Sequence, residues 1–156
     1  MKVEKDFEEL FRLFNKHKVR YCIIGSYAVA YYARPRYTKD IDILIQADVE
    51  NSKKVVRALE EFGFPSLRLS EEEFQTKKKI IQLGYEPVRI DLLTSVEGCS
   101  FACAWKNKAR GKFGSENVFF IGLEDLIKLK KKSPRLQDKA DLALLLEARR
   151  AKNRRV

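Results

Sequence analysis

Lys39-Asp40-Ile41-Asp42-Ile43-Leu44-Ile45 alternates acid and aliphatic residues before running into a fully apolar end. On an extended strand successive side chains point to opposite faces, so Asp40 and Asp42 project together while Ile41 and Ile43 enter a core. Two carboxylates held that close repel each other and raise at least one pKa unless a cation lies between them. A hard divalent ion that takes oxygen ligands, magnesium or manganese, is the natural cation. The solvated face of an edge strand has the same pattern, so the neighbouring sequence must decide.

Upstream, Arg20-Tyr21-Cys22-Ile23-Ile24 is a short, β-rich apolar run that ends at Gly25-Ser26, and Tyr27 to Tyr32 reads as a compact helix. Strand, glycine turn and helix start together make an anion site, with free backbone N–H groups, a positive dipole end and the Ser26 hydroxyl. Arg34-Pro35-Arg36-Tyr37-Thr38-Lys39 then adds basic residues and a threonine, so thirteen residues separate Ser26 from Asp40. A third carboxylate, Asp91, stands in Val88-Arg89-Ile90-Asp91-Leu92-Leu93. Phosphate donors and metal carboxylates this near in sequence point to a site for a metal–polyphosphate.

These residues resemble the signature of the DNA polymerase β-like nucleotidyltransferase superfamily: glycine with glycine or serine, a spacer of a dozen or so residues, and two acids flanking one aliphatic. Arg36-Tyr37-Thr38-Lys39-Asp40-Ile41-Asp42 is similar to the R-x-T-x-D-I-D form of small prokaryotic members. The tail, Gly122-Leu123-Glu124-Asp125-Leu126-Ile127 followed by Lys130, Arg135, Asp138 and Asp141, resembles the terminal helices of the AbiEii-like branch, some of whose members are toxins of toxin–antitoxin pairs.

The resemblance implies transfer of a nucleoside monophosphate from an NTP to an acceptor hydroxyl. Asp40 and Asp42 would bridge two Mg²⁺ or Mn²⁺ ions about 3.5–4 Å apart, and Asp91 would complete the second site and take the acceptor proton. Gly25, Ser26, Arg36 and Thr38 would bind the triphosphate, with Lys130 and Asp138 at the nucleotide cleft. Lys130 reads equally as a charge on the solvated side of a Lys-rich helix, and Asp138 as a first-turn acid favoured by the helix dipole. Arg135 and Asp141 read as a helix-surface network outside the site.

The acceptor stays open among a tRNA 3′ end or other RNA, a protein hydroxyl and a small antibiotic. An antitoxin or a helical subunit is an implied partner. Two competing readings remain: an inactive nucleotide- or RNA-binding module, and the catalytic half of a two-subunit transferase.

The 156 residues suit a single domain, with a core over about 18–121 and terminal helices over about 123–150. No stretch approaches a membrane span of roughly 20 apolar residues, and the N-terminus lacks the apolar segment of a signal peptide. Three cysteines without framework spacing fit a reducing cytoplasm. Cys99 and Cys103 have no further ligand nearby in sequence and read as core or surface thiols. The net charge of +10, from 32 Lys and Arg against 22 Asp and Glu, is concentrated near Lys77, Lys106 to Lys112, Lys130 and the tail from Arg149. Such an excess steers polyanions, and it is also what a Lys-rich, heat-adapted surface looks like.

Periodicity and punctuation predict helices over 4–17, 26–33 and 52–62, the last closed by Gly63, and a helix pair over 123–132 and 136–150. Strands are predicted over 20–24, 40–46, 67–69, 79–83, 87–93 and 117–121, with 95–116 mostly loop. The order gives an α/β (α+β) fold, a small mixed sheet flanked by helices.

Overall fold

The computed structural model describes residues 4–35, 38–63 and 71–155. Helix α1 (Lys5–Lys16) leads to strand β1 (Tyr21–Ile24), which passes directly into α2 (Gly25–Tyr32). Strand β2 (Asp40–Ile45), helices α3 (Val49–Phe62) and α4 (Glu71–Gln75), and strands β3 (Ile80–Leu83) and β4 (Arg89–Leu93) follow. The remainder is α5 (Phe101–Lys106), β5 (Ala109–Phe113), β6 (Glu116–Phe120), α6 (Leu123–Lys132) and α7 (Leu136–Arg154). The strands form one mixed six-stranded sheet in the order β3-β4-β2-β1-β6-β5. The β2–β4 and β1–β6 pairs are parallel, and the other three are antiparallel.

The i, i+3, i+4, i+7 stripe of α1 is core, as its periodicity predicts: Phe7, Leu10, Phe11 and Phe14 are buried. Phe11 stacks on Tyr21 at 5.6 Å between ring centroids, which ties α1 to the sheet beside the strand that ends at the glycine turn. Helix α3 begins earlier than periodicity suggests because Asp48 caps it, accepting from the Asn51 backbone N–H at 2.7 Å. Gly63 ends it in the left-handed conformation at φ 118°.

The segment 95–116 is a correction. It contains α5 and β5 rather than loop. Ser100 caps α5 by accepting from the Cys103 N–H at 3.1 Å, and Trp105 packs edge-on to Phe119 at 5.1 Å. The Gly111 that disguises β5 as a loop is a packing requirement, since a Cβ there would lie 2.7 Å from the Tyr31 ring and 2.9 Å from that of Phe120. Helix α7 likewise continues past 150, to Arg154, and Arg149 reaches Glu124 of α6 at 2.8 Å. The strand expected over 67–69 lies outside the described residues. Among the described residues no helix is long and apolar enough to cross a membrane.

Candidate active site

The register of β2 on β4 builds the site. Asp42 stands directly opposite Asp91, and Asp40 stands opposite Arg89. The alternation in β2 sends Ile41 and Ile43, both fully buried, into the core while Asp40 and Asp42 face the other way. One carboxylate oxygen from each of Asp40, Asp42 and Asp91 lies within 4.8 Å of the other two. Three anions at that distance, one of them buried (Asp91, 6% exposed), are stable only with a shifted protonation or a cation. Burial and the neighbouring Asp40 and Asp91 charges push the Asp42 carboxyl up to about 7. Burial raises Asp91 as well, opposed by the Arg89 guanidinium.

Gly25 starts α2 at φ 69°, a conformation that a Cβ disfavours, and it lies against Asp42. A Cβ on Gly25 would be 3.1 Å from Asp42 Cβ and Cγ, and nearer still to Oδ2. Helix α2 has no side-chain cap at its start, and Gly25 sets its first turn beside Asp42. Thr38 is engaged with Asp40: its hydroxyl lies 3.1 Å from both the Asp40 carbonyl oxygen and Oδ1, which fixes that carboxylate at the mouth of the site. Arg36 lies outside the described residues.

Lys130 and Asp138 are brought together: Asp138 does lie in the first turn of α7, but Lys130 is not a solvated lysine. Lys130 is 8% exposed, and its Nζ reaches Asp138 Oδ1 at 2.8 Å and Asp141 Oδ2 at 3.1 Å. Burial alone would raise the Asp138 carboxyl, but hydrogen bonds from Lys130 and Ser133 hold it below the usual range. Asp141, expected on the helix surface, is fully buried and part of this staple between α6 and α7. Only Arg135 fits the surface reading, with its Nε 4.0 Å from Asp138. The Lys130 charge also reaches the acids, lowering the carboxyl of Asp42.

Sequence reasoning missed Arg89. Its Nη2 lies 2.7 Å from Asp40 Oδ2 and 3.2 Å from Asp91 Oδ2, and its Nε is 3.1 Å from Asp91 Oδ1. The signal was present in Arg89-Ile90-Asp91, where period two places Arg89 on the face of Asp91. The donor set fits a hard divalent cation: three convergent carboxylates, all oxygen, with a guanidinium already standing in as cation between two of them.

A second cluster joins Cys99, Cys103 and Asp125, with one ligand atom of each within 4.8 Å of the others. The absence of a further ligand beside the two thiols, expected from sequence, is therefore corrected by the buried Asp125 of α6. Asp125 accepts from Asn107 Nδ2 at 3.2 Å. Burial, then the Asp125 charge, pushes the Cys99 thiol up to about 11, which keeps it protonated near neutral pH.

A cleft of about 670 Å³ between the C-terminal end of α2 and helix α7 is lined by Tyr32, Arg34, Glu147, Lys152 and Arg155 among others. None of the three acids lines it. The length of α2, about 12 Å at 1.5 Å per residue, separates its mouth from Gly25.

A profile of the family described as "Nucleotidyl transferase of unknown function (DUF2204)" matches residues 3–156. By structure, the chain is similar to the lincomycin-bound crystal structure of the lincosamide antibiotic adenylyltransferase LnuA. The TM-score is 0.58 at 18% identity, over 93% of this chain and 97% of that one. No curated protein matches by sequence.

Proposed function

The chain belongs to the DUF2204 family of nucleotidyl transferases, and on that premise we propose that it moves a nucleoside monophosphate from an NTP to an acceptor hydroxyl, with Asp40, Asp42 and Asp91 as its metal-binding and catalytic acids. The observation that carries this reading is the pairing of Asp42 with Asp91 across β2 and β4, with Asp40 on the same face and the start of α2 alongside. Bound Mg²⁺ or Mn²⁺ would neutralise the triphosphate and acidify the acceptor hydroxyl.

The chain's own groups do the rest. First-turn N–H groups at Gly25 and Ser26 hold the β- and γ-phosphates, and Arg36 adds positive charge there. Thr38 orients Asp40. The acceptor oxygen forms a bond to the α-phosphorus, the bond from that phosphorus to the bridging oxygen breaks, pyrophosphate leaves, and the acceptor proton passes to Asp91. Lys130, held by Asp138 and Asp141, seats α6 and α7 and moderates the charge at Asp42. With the tail pattern, this buried staple supports placement near the toxin-like AbiEii branch, which would bring an antitoxin or helical partner.

The +10 charge supports RNA, a tRNA 3′ end among its forms, as acceptor. A small hydroxylated molecule is the second reading, favoured by the likeness to LnuA over nearly the whole of both chains. The test is incubation of purified protein with each α-labelled NTP, Mg²⁺ and, separately, total RNA, protein extract and hydroxylated antibiotics. Label transferred to one fraction by wild type and not by Asp42→Asn supports the reading. Neither transfer nor NTP binding with any fraction overturns it.

A further inference from the structure

Among the described residues, the Arg89 guanidinium is the cation in direct contact with the acid triad. It spends three N–H contacts there, forming a two-point fork on Asp91 and a 2.7 Å contact with Asp40. Those are oxygens of the same carboxylates that would ligate metal. A guanidinium and a divalent cation on shared carboxylates repel each other in a site partly closed to water, so each weakens the other's hold.

An alternative seat already exists. Glu86 Oε1 is 3.9 Å from Arg89 Nη1, on the turn that leads into β4. The other oxygen of Glu86 holds Lys39 at 3.4 Å, so this carboxylate is positioned at the rim rather than free in solvent. Arg89 keeps 28% of its side chain exposed and Glu86 keeps 52%, which leaves room for the guanidinium to swing outward.

We propose that Arg89 is the resident counter-cation of the acid triad, competing with metal for Asp40 and Asp91, and that metal loading passes its guanidinium to Glu86. The inference rests on the three acids being the metal site. It makes the site self-neutralising when empty and sets a threshold that free metal must exceed. A metal ion arriving with a triphosphate brings additional phosphate contacts at α2 and so crosses that threshold more readily. The competing account is that Arg89 only orients Asp91 for the metal and stays in place, in which case its removal weakens metal binding.

The two accounts differ in sign, and Mn²⁺ alone, titrated into the full chain by calorimetry or electron paramagnetic resonance, separates them. Arg89→Gln should bind Mn²⁺ five- to tenfold more tightly than wild type. Glu86→Gln should bind two- to threefold more weakly, and this loss should vanish in the Arg89→Gln background, because Glu86 acts through Arg89. Arg89→Lys keeps the charge without the fork and should lie between wild type and Arg89→Gln; it decides the matter if Arg89→Gln does not fold. Equal or weaker Mn²⁺ binding by the arginine variants overturns the competition. A Glu86→Gln effect that persists without Arg89 overturns the transfer to Glu86. Mn²⁺ binding to neither wild type nor Arg89→Gln would instead remove the three-acid site on which the inference stands.

Discussion

Gly25 and Asp42 are packed so tightly that the first residue of α2 has no room for a Cβ: it would meet the Asp42 carboxylate, 3.1 Å from Cγ. The glycine therefore serves the acid strand as well as the proposed phosphate turn. Gly25→Ala should lower affinity for Mn²⁺ alone as well as for NTP, each by about tenfold, equivalent to roughly 1.4 kcal/mol of displacement and strain. Calorimetry in the presence and absence of nucleotide checks this. Loss of NTP affinity with Mn²⁺ binding intact would confine Gly25 to the phosphates.

Asp42→Asn preserves shape and removes one of three crowded charges. Metal-dependent NTP binding and transfer should fall at least about a hundredfold, while the metal-free protein keeps or gains stability, by about 2–4 °C in Tm if the relief is about 1 kcal/mol. Thermal melts with and without Mn²⁺ read both effects, and a variant that Mn²⁺ still stabilises as it does wild type would remove Asp42 from the site.

The elevated carboxyl of Asp42, at about 7 against its ordinary 3.8, fixes the direction of two pH effects. The folded chain binds this proton more tightly than the unfolded chain, so the associated stability is complete below about pH 3.8 and declines as pH rises to about 7. Metal needs the deprotonated form. Below pH 7, Mn²⁺ affinity should therefore rise by about tenfold per pH unit and then level off, with close to one proton released on binding near pH 6. Calorimetry in buffers of different ionisation enthalpy measures that proton; a flat affinity from pH 5.5 to 8 would contradict it.

Lys130→Met leaves Asp138 and Asp141 without their shared cation. Removal of one member of a buried ion pair costs about 3–5 kcal/mol, which corresponds to roughly 6 °C or more in Tm for a chain of this size. Adding Asp141→Leu should recover part of the loss, as a thermal melt would show. NTP affinity measured well below Tm then separates seating of the helices from contact with nucleotide.

Charge reversal at Arg150, Lys152 and Arg154 tests the RNA reading while giving up little beyond the 3.4 Å contact of Arg150 Nε with the Leu146 carbonyl oxygen. Arg149 is spared because it pairs with Glu124, and Lys108 because it lies 3.9 Å over the Trp105 ring. For three lost phosphate contacts on a single strand, the slope of log affinity against log salt should shrink by about 2, with NTP affinity unchanged. If wild type shows no RNA binding at low salt, the small-molecule acceptor takes precedence.

The acid strand was readable because its chemistry and its period coincide: Asp40 and Asp42 alternate with Ile41 and Ile43, and only one face suits each pair. Gly63 and the Phe7–Phe14 stripe were readable for the same reason, local pattern matching local geometry. Arg89 was hidden because its importance depends on the register of β4 on β2, which no local pattern states. Gly111 misled in the opposite direction, since a strand glycine excused by the Tyr31 and Phe120 rings looks like a loop residue when those rings are unknown. Asp141 and Lys130 carried the charge of a surface and occupy an interior, because each neutralises the other.

The pairing of β2 with β4 also sets an order of events during synthesis. Asp40 and Arg89 are 49 positions apart, so a nascent chain that has completed β1, α2 and β2 exposes Asp40 and Asp42 with neither Asp91 nor the guanidinium beside them. Closure of that long loop is what assembles the triad, and the α6–α7 staple follows still later along the chain. A ribosome-bound fragment thus lacks the assembled triad, and its acid-bearing strand remains an open edge until β4 arrives to cover it.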